Sequence, residues 1–574
     1  MKKIIRRQMI AETHPALANL PVLLRQVYAT RGVTSSVELE RGFDRLLPYE
    51  TLMGISEAVE LLARVIVAQK KILIVGDFDA DGATSTALAI RVLRSFGAGP
   101  VTFLVPNRFA YGYGLSPELV EVAKTLDPAL IITVDNGIAN HAGVEAAKSY
   151  GIQVLITDHH LPATSLPPAD AIVNPNQVGD KFPSKNLAGV GVIFYVMLAL
   201  RRHLQQQGWF AARRLPEPVM SQFLDLVALG TIADLVPLDH NNRILVHQGL
   251  RRIRAGQCSL GIIALLEVAG REYSRVTASD LGFVVAARLN AAGRMDDMSL
   301  GIETLTSDDS VRAREMATQL DQLNQERRAV EKDMQHQALE IVKNLQTRLQ
   351  GDIPKGLCLF DASWHQGVIG ILASRIKERF HRPVIVLAPG MTGETKGSAR
   401  SIPGVHIRDV LAQVATQYPQ LILKFGGHAM AAGLTIKNEN VEKFSAVFDE
   451  IVSAQLSDAM LQQQLLSDGA LGLEDFNLET ASLLREGGPW GQAFPEPLFD
   501  DTFTVLEQRI VGSKHLKMSL SIGERVLDAI AFFVDLKLWP NHHCQKIHAA
   551  YRLDINEYRG QSRIQLIIEQ MEAV

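Results

Sequence analysis

Three short, mostly apolar runs in this chain each stop at a carboxylate. Lys71–Val75 (KILIV) enters GDFDADG, Leu130–Val134 (LIITV) meets Asp135, and Val154–Thr157 (VLIT) meets Asp158. Val101–Val105 supplies a further strand-like run, and the stretch after GDFDADG, GATSTALAIRVLRSFGAG, has a helical pattern. Strands that alternate with helices predict a parallel sheet covered on both faces. Ligands of such sheets bind beyond the carboxyl ends of the strands, so the strand-end acids should converge there.

The alternation returns over roughly 351–450, with strands at Gly356–Phe360 and Pro383–Leu387, a helix at Gly370–Phe380, and the glycine-rich FGGHAMAAG at Phe425–Gly433. Between the two regions, residues 307–350 contain neither Gly nor Pro. Met316, Leu320, Leu323, Val330, Met334, Ile341 and Leu345 recur there near heptad spacing. This predicts one long helix, capped by Ser307 or Asp308, joining two α/β lobes. Five short strand-like runs fill 502–574 and suggest a small barrel. The division is an N-terminal arm (1–50), a first lobe (51–306), the connecting helix (307–350), a second lobe (351–454) and a barrel-bearing segment (455–574). The expected class is α/β with a C-terminal β-barrel.

With 47% hydrophobic and 21% charged residues the chain is not a disordered one. Cys258, Cys358 and Cys544 are too far apart for a CxxC unit, which argues against a disulfide framework or a cysteine-based zinc site. LAGVGVIFYVMLAL (Leu187–Leu200) is shorter than the ~20 residues a membrane span needs and reads as a buried helix. A cytoplasmic protein is expected, with no membrane association. The net charge of -4 argues against a protein that coats nucleic acid, but residues 455–501 hold nine acids and one base, which leaves the rest of the chain positive.

Asp77, Asp79 and Asp81 crowd into GDFDADG and repel one another unless cations neutralise them, which suits hard divalent ions. A calcium loop is the competing reading, but its twelfth position would be Leu88, inside an apolar helix. TDHH (Thr157–His160) can place one imidazole on a metal and the other toward a phosphate, favouring Mn²⁺, Zn²⁺ or Fe over calcium. Asp234, in LGTIADLVPL, follows another apolar run and is counted with the strand-end acids. Together these residues describe a two-metal hydrolase.

GDFDADG, TVDNG, DHH and the Asp234 segment resemble, in order and spacing, the motifs of the DHH phosphoesterase superfamily. WHQGVIGILASRIKERF, GSARS and FGGHAMAAG resemble its DHHA1 domain. Length, order and the terminal barrel, similar to an OB-fold, point to the branch of bacterial single-strand-specific 5′→3′ DNA exonucleases. The resemblance implies two Mg²⁺ or Mn²⁺ ions held by Asp79, Asp81, Asp135, His159 and Asp234, with Asp77 in or beside the ligand set and His160 acting on the scissile phosphate. Val75 stands where smaller relatives often carry a histidine ligand, which leaves the division of ligands between the ions open. DNA contacts are implied at Arg108 and Phe109, with Tyr111 and Tyr113 nearby, at Arg288, Asn290 and Arg294, and at Ser398 and Arg400, which resemble a 5′-phosphate pocket. Gly426, Gly427 and His428 are expected to open a short helix, Ala429–Ala432, whose N-terminus would favour an anion.

The implied process is DNA repair and recombination, by a monomer acting on single-stranded DNA beside a single-strand-binding protein and a helicase. The two lobes are expected to enclose a groove too narrow for a duplex. Two alternatives stand beside this: a DHH enzyme acting on oligoribonucleotides, cyclic dinucleotides or pyrophosphate, and a non-catalytic DNA-binding scaffold. Arg509, Lys514, His515 and Lys517 form the clearest basic cluster of the barrel. Because every candidate metal ligand precedes residue 235, a chain ending near Ala454 is expected to cleave still but to bind long strands less tightly.

Overall fold

The computed structural model describes residues 2–8, 15–107, 114–391, 393–558 and 560–574. These form two compact units, one of residues 6–323 with 467–574, the other of residues 1–5 with 324–466.

The first unit is built on five parallel strands, β1 (Ile72–Val75), β2 (Val101–Leu104), β3 (Leu130–Val134), β4 (Gln153–Thr157) and β5 (Ala171–Val173). Their order is β2-β1-β3-β4-β5. β1 and β3 are buried along their whole length, as expected of continuous apolar runs covered on both faces. The order reverses direction between β1 and β3, which opens a crevice at their carboxyl ends. Helices α1 (Ala80–Ser95), α2 (Gly189–Gln206) and α3 (Leu224–Ala233) pack on one another beside this sheet. Nearly every residue of α3 is buried and α2 is buried over most of its length, because both are apolar almost all round. A π-helical stretch, Leu281–Ala286, runs directly into α4 (Ala287–Met295).

The Gly- and Pro-free segment forms a single helix, α5 (Ser310–Arg348), slightly shorter at each end than the sequence suggests. It begins in the first unit and ends in the second. Its buried stripe is apolar at Met316, Ala317 and Leu320 and again at Met334, Ala338 and Val342, but polar between, at Asn324 and Glu331. Glu331 there accepts from Arg327 at 2.6 Å and from Arg375 at 3.0 Å.

The second unit carries β6 (Leu357–Phe360), α6 (Ile369–Phe380), β7 (Val384–Pro389), β8 (Glu394–Arg400), β9 (Lys424–Gly427) and β10 (Ala431–Lys437), with sheet order β9-β10-β8-β7-β6. Here one expectation is corrected. Gly426–His428 opens no helix; it ends β9 and turns into β10, with the His428 N–H donating to the Ala431 carbonyl at 2.8 Å. The alanine-rich AMAAG favours a helix locally, but pairing of Ala431–Lys437 with β8 overrides that preference.

Strands β11 (Phe499–Val511), β12 (His515–Ile522), β13 (Arg525–Ala531), β14 (Lys546–Tyr558) and β15 (Gln561–Ala573) close into a barrel in the order β11-β12-β13-β15-β14. The barrel is not a separate body. Phe499, Phe503, Tyr551 and Met571 belong to the same hydrophobic core as Leu17, Tyr28 and the helices beside the parallel sheet. Nor are the acids of 455–501 merely a solvated charge run. Asp468 is buried and accepts from Arg31 at 2.9 and 3.0 Å, and Asp500 is buried and accepts from Arg6 and His548 at 3.0 Å each. Tyr28 donates to the Gly487 carbonyl at 2.8 Å, and its ring packs 6.1 Å from both Trp490 and Phe494. The N-terminal arm is thus clamped by GPWGQAFPEPLF. Among the described residues no helix is long and apolar enough to cross a membrane.

Candidate metal centre

Each candidate ligand is delivered by a strand end or a helix end. Asp77 follows β1 and is buried. Asp79 is the N-cap of α1, its Oδ1 accepting from the N–H groups of Asp81 at 2.9 Å and Gly82 at 3.1 Å. Asp81 lies in the first turn of α1, and its carboxylate receives the first N–H groups of α2, from Gly189 at 2.6 Å and Val190 at 3.0 Å. Asp135 follows β3 in the left-handed region, φ 62°, a conformation that aspartate tolerates better than most residues. Asp234 is not at a strand end, contrary to its grouping from sequence. It is the residue after α3, which the all-round apolar run concealed.

The side chains converge. His159 Nε2 lies 3.1 Å from Asp135 Oδ1 and 3.4 Å from Asp234 Oδ2. Three trios place their ligand atoms within 4.8 Å of one another: Asp135, His159 and His160; Asp81, His159 and Asp234; and Asp77, Asp79 and Asp135. Asp135 and His159 are each shared by two trios, so the groups adjoin. Burial, and then the neighbouring Asp81, Asp79, Asp234 and Asp77, push Asp135 well above the ordinary carboxylate range. Burial, then Asp81 and Asp79, push Asp234 the same way. Asp81 is pushed up to about 7 by burial and by Asp79, against the opposing pull of the Val190 and Gly189 N–H groups. Carboxylates that raise one another in this way are stabilised as anions by a divalent cation. The carboxylates suit Mg²⁺ or Mn²⁺, and the imidazole among them favours Mn²⁺ over calcium, so the donor set fits such ions.

Sequence reasoning missed the residues that hold this set in place. Asp158 is buried and accepts from the N–H groups of Ile138 at 3.0 Å, His159 at 2.7 Å and His160 at 3.1 Å. Its Oδ1 also lies 2.8 Å from His160 Nδ1. Burial alone would lower His160, but Asp158, and then Asp234 and Asp77, raise it to about 9. Asn174 and Asn176 donate to the carbonyls of His160 and His159 at 2.9 and 2.6 Å. Asn136 donates to the ends of both β1 and β3, at 3.1 Å to the Val75 carbonyl and 2.9 Å to that of Val134. Gly189 and Gly230 allow the close packing: a Cβ on Gly189 would lie 2.6 Å from the Asp135 Cβ, and one on Gly230 would lie 2.7 Å from Asp81 Oδ1.

The DNA-binding candidates are placed unevenly. Arg108, Phe109, Tyr111 and Tyr113 lie outside the described residues. Arg288 is buried and already engaged, with Asp321 at 2.7 Å and with the Val284 carbonyl at 2.9 Å. The Asn290 side chain accepts from the Ala80 N–H at 2.8 Å, so it supports the DADG turn from α4. Arg294 is half-buried near the end of the same helix. In the second unit, Arg400 at the end of β8 donates to Ser398 Oγ at 3.1 Å and to the Ala399 carbonyl at 2.8 Å. Burial lowers its guanidinium, and among the described residues no carboxylate pairs with it. A Cβ on Gly370, at the start of α6, would meet Arg400 Nη2 at 3.1 Å and Ser398 Oγ at 3.2 Å, so both groups lie beside that helix N-terminus. His428, Gly426 and Gly427 are exposed in their hairpin.

A parallel sheet carrying adjoining carboxylate and imidazole trios at its switch point defines a metal-dependent phosphoesterase of the DHH type. The DHH family N-terminal domain matches residues 71–231, the DHHA1 domain 354–454 and the RecJ OB domain 467–570. The single-stranded-DNA-specific exonuclease RecJ of Escherichia coli (strain K12) is 53% identical over 567 residues, covering 98% of each chain. That of Haemophilus influenzae is 50% identical over 578 residues, covering 100% of each. The crystal structure of RecJ in complex with Mn²⁺ from Thermus thermophilus is similar at a TM-score of 0.80 and 29% identity, over 100% of this chain and 79% of that one. A Mg²⁺ complex from the same source is similar at a TM-score of 0.76. The chain belongs to the RecJ family of single-stranded-DNA-specific exonucleases.

Proposed function

We propose that this protein degrades single-stranded DNA from its 5′ end to mononucleotides, by phosphodiester hydrolysis at two divalent ions. The observation that carries the reading is the set of adjoining trios around Asp135 and His159. Asp79, Asp81, Asp135, His159 and Asp234, with Asp77, would hold Mg²⁺ or Mn²⁺, which supply an activated water and charge for the attacked phosphate. His160, its ring held by Asp158, would present a donor to a phosphate oxygen or to the 3′-oxygen of the departing mononucleotide, leaving the phosphate on the 5′ end of the shortened chain.

Polarity needs a group that recognises one end of the strand. Ser398 and Arg400 beside the start of α6 combine a guanidinium that pairs with no carboxylate among the described residues, a hydroxyl and a helix N-terminus, which suits a terminal phosphate. Arg294, and Gly426, Gly427 and His428 in the exposed hairpin, remain as further backbone contacts, while Arg288 and Asn290 act through the architecture they hold. The barrel, with Arg509, Lys514, His515 and Lys517, would bind the strand at a distance from the ions. A role in DNA repair and recombination, a cytoplasmic monomer, and association with a single-strand-binding protein and a helicase complete the reading.

Digestion of single- and double-stranded DNA labelled at either end, with Mg²⁺, Mn²⁺ or EDTA, tests it. Mononucleotide release from the 5′ end of single strands, abolished by EDTA, is the expected result. Release from the 3′ end, or full activity in EDTA, overturns it. Arg400→Ala should slow cleavage of 5′-phosphorylated strands far more than of 5′-hydroxyl strands, compared at fixed salt.

A further inference from the structure

Two large apolar side chains are left in solvent on segments that adjoin, one just after α3 and one in the π-helical stretch packed against α3. Leu235, the next residue, is 67% exposed and held in the left-handed region, φ 58°. Phe283 is 75% exposed and lies within the π-helical stretch Leu281–Ala286. Ile232 adjoins both segments: the Leu235 N–H donates to its carbonyl at 3.4 Å, and a Cβ on Gly282, the residue before Phe283, would lie 3.3 Å from its Cγ2.

Single exposed apolar residues need no explanation, but two features set this pair apart. A β-carbon-bearing residue at positive φ stores strain that the surrounding structure must hold, and such strain gathers at functional sites. A π-turn inserts one extra residue into a helix, re-aims the side chains around it and likewise recurs at functional sites. The same helical run continues into α4, whose Asn290 accepts from the Ala80 N–H, so it is anchored to the DADG turn itself. The run therefore presents a phenyl face from an element fixed to the metal centre.

We infer that Phe283 is an apolar platform on which one nucleobase of the substrate strand stacks, positioning the phosphodiester at the metal centre. A base offers a flat face without regard to sequence, and stacking on an aromatic side chain tolerates any base. This rests on the reading of the protein as a single-strand nuclease.

The test uses the full chain with Mn²⁺ and 5′-phosphorylated oligothymidylates carrying a single abasic residue at successive positions from the 5′ end. Phe283→Ala should lower kcat/KM on the intact strand roughly 5- to 100-fold. Phe283→Trp should retain activity. At one position the abasic residue should slow the wild type to the level of Phe283→Ala and leave that variant no slower. The thermal midpoints should stay close to wild type, because the ring is solvent-exposed. A Phe283→Ala enzyme that matches wild type, or one slowed by the same factor whichever position is abasic, overturns the platform while leaving the nuclease reading intact. A wild type that degrades no single-stranded DNA overturns both.

Discussion

Asp158 belongs to none of the three ligand trios, yet four hydrogen-bonded contacts converge on it and fix both histidines. Asp158→Asn should leave a folded protein with nuclease activity lowered about 10- to 100-fold, as is usual when the partner that orients a functional imidazole is lost. Its activity should also fall away at lower pH than in wild type, since His160 drops back from about 9 toward the ordinary imidazole value. A pH–rate profile checks both outcomes. Asp135→Ala, Asp79→Ala or His159→Ala should instead abolish activity and keep the fold, because each removes a proposed ligand and loosens the crowded cluster. Crowding also sets a pH dependence. With its carboxyl raised to about 7, Asp81 keeps a proton in the folded chain that the unfolded chain releases near pH 4. Without metal, its contribution therefore lowers stability as pH rises from about 4 to about 7. Calorimetry in EDTA should give a less steep decline for Asp81→Asn. The clustered acids and histidines were legible because GDFDADG and DHH are local patterns. Asp158 was noted only as a strand end, and its partners Ile138, Asn174 and Asn176 come from other loops that no local pattern links to it.

Among the elements, β1, β3 and β4 were readable because near-continuous burial leaves an unbroken apolar signature, whereas the three-residue β5 was too short to leave one. The hairpin at Gly426–His428 was not, because strand pairing across the sheet is a non-local interaction that local helix preference cannot report. The close approach of α2 to the acids was equally hidden. LAGVGV reads as an apolar helix start, and only the fold reveals that Gly189 faces Asp135. Gly189→Ala should push that contact apart, cost about 1–3 kcal/mol of stability and reduce metal-dependent activity together with it. Urea titration followed by activity assay measures the two effects. An alanine variant of wild-type stability and rate would show that the helix start yields without disturbing Asp135.

The whole molecule departs most from the sequence reading in its C-terminal part. A barrel that shares its core with the catalytic unit cannot be removed as a remote accessory. A chain ending near Ala454 should be insoluble or inactive, not merely weaker in binding, because it exposes Tyr28 and strands Arg31 without Asp468. Expression and circular dichroism of that truncation decide the point. The acid pairs at this seam add their own pH dependence. Burial would raise Asp500, but Arg6, Ser467 and His548 outweigh it and hold the carboxyl below its ordinary value. Its stabilisation is complete above about pH 4 and disappears as pH falls through the depressed value. Asp500→Asn should therefore cost most at neutral pH and little in strong acid, as read by thermal midpoints across that range.

The shared core also imposes an order on the making of the protein. A ribosome releases the arm and all the ligand-bearing segments long before Met571, yet Leu17 and Met571 close the same core. That core can complete its packing only after Met571 has been made. Nascent chains stalled after residue 454 should be inert toward single-stranded DNA even with Mn²⁺ present, and should become active on full extension and release. An enzyme that degrades single-stranded DNA would thus stay harmless while half-made, the segment 467–574 serving as the latch.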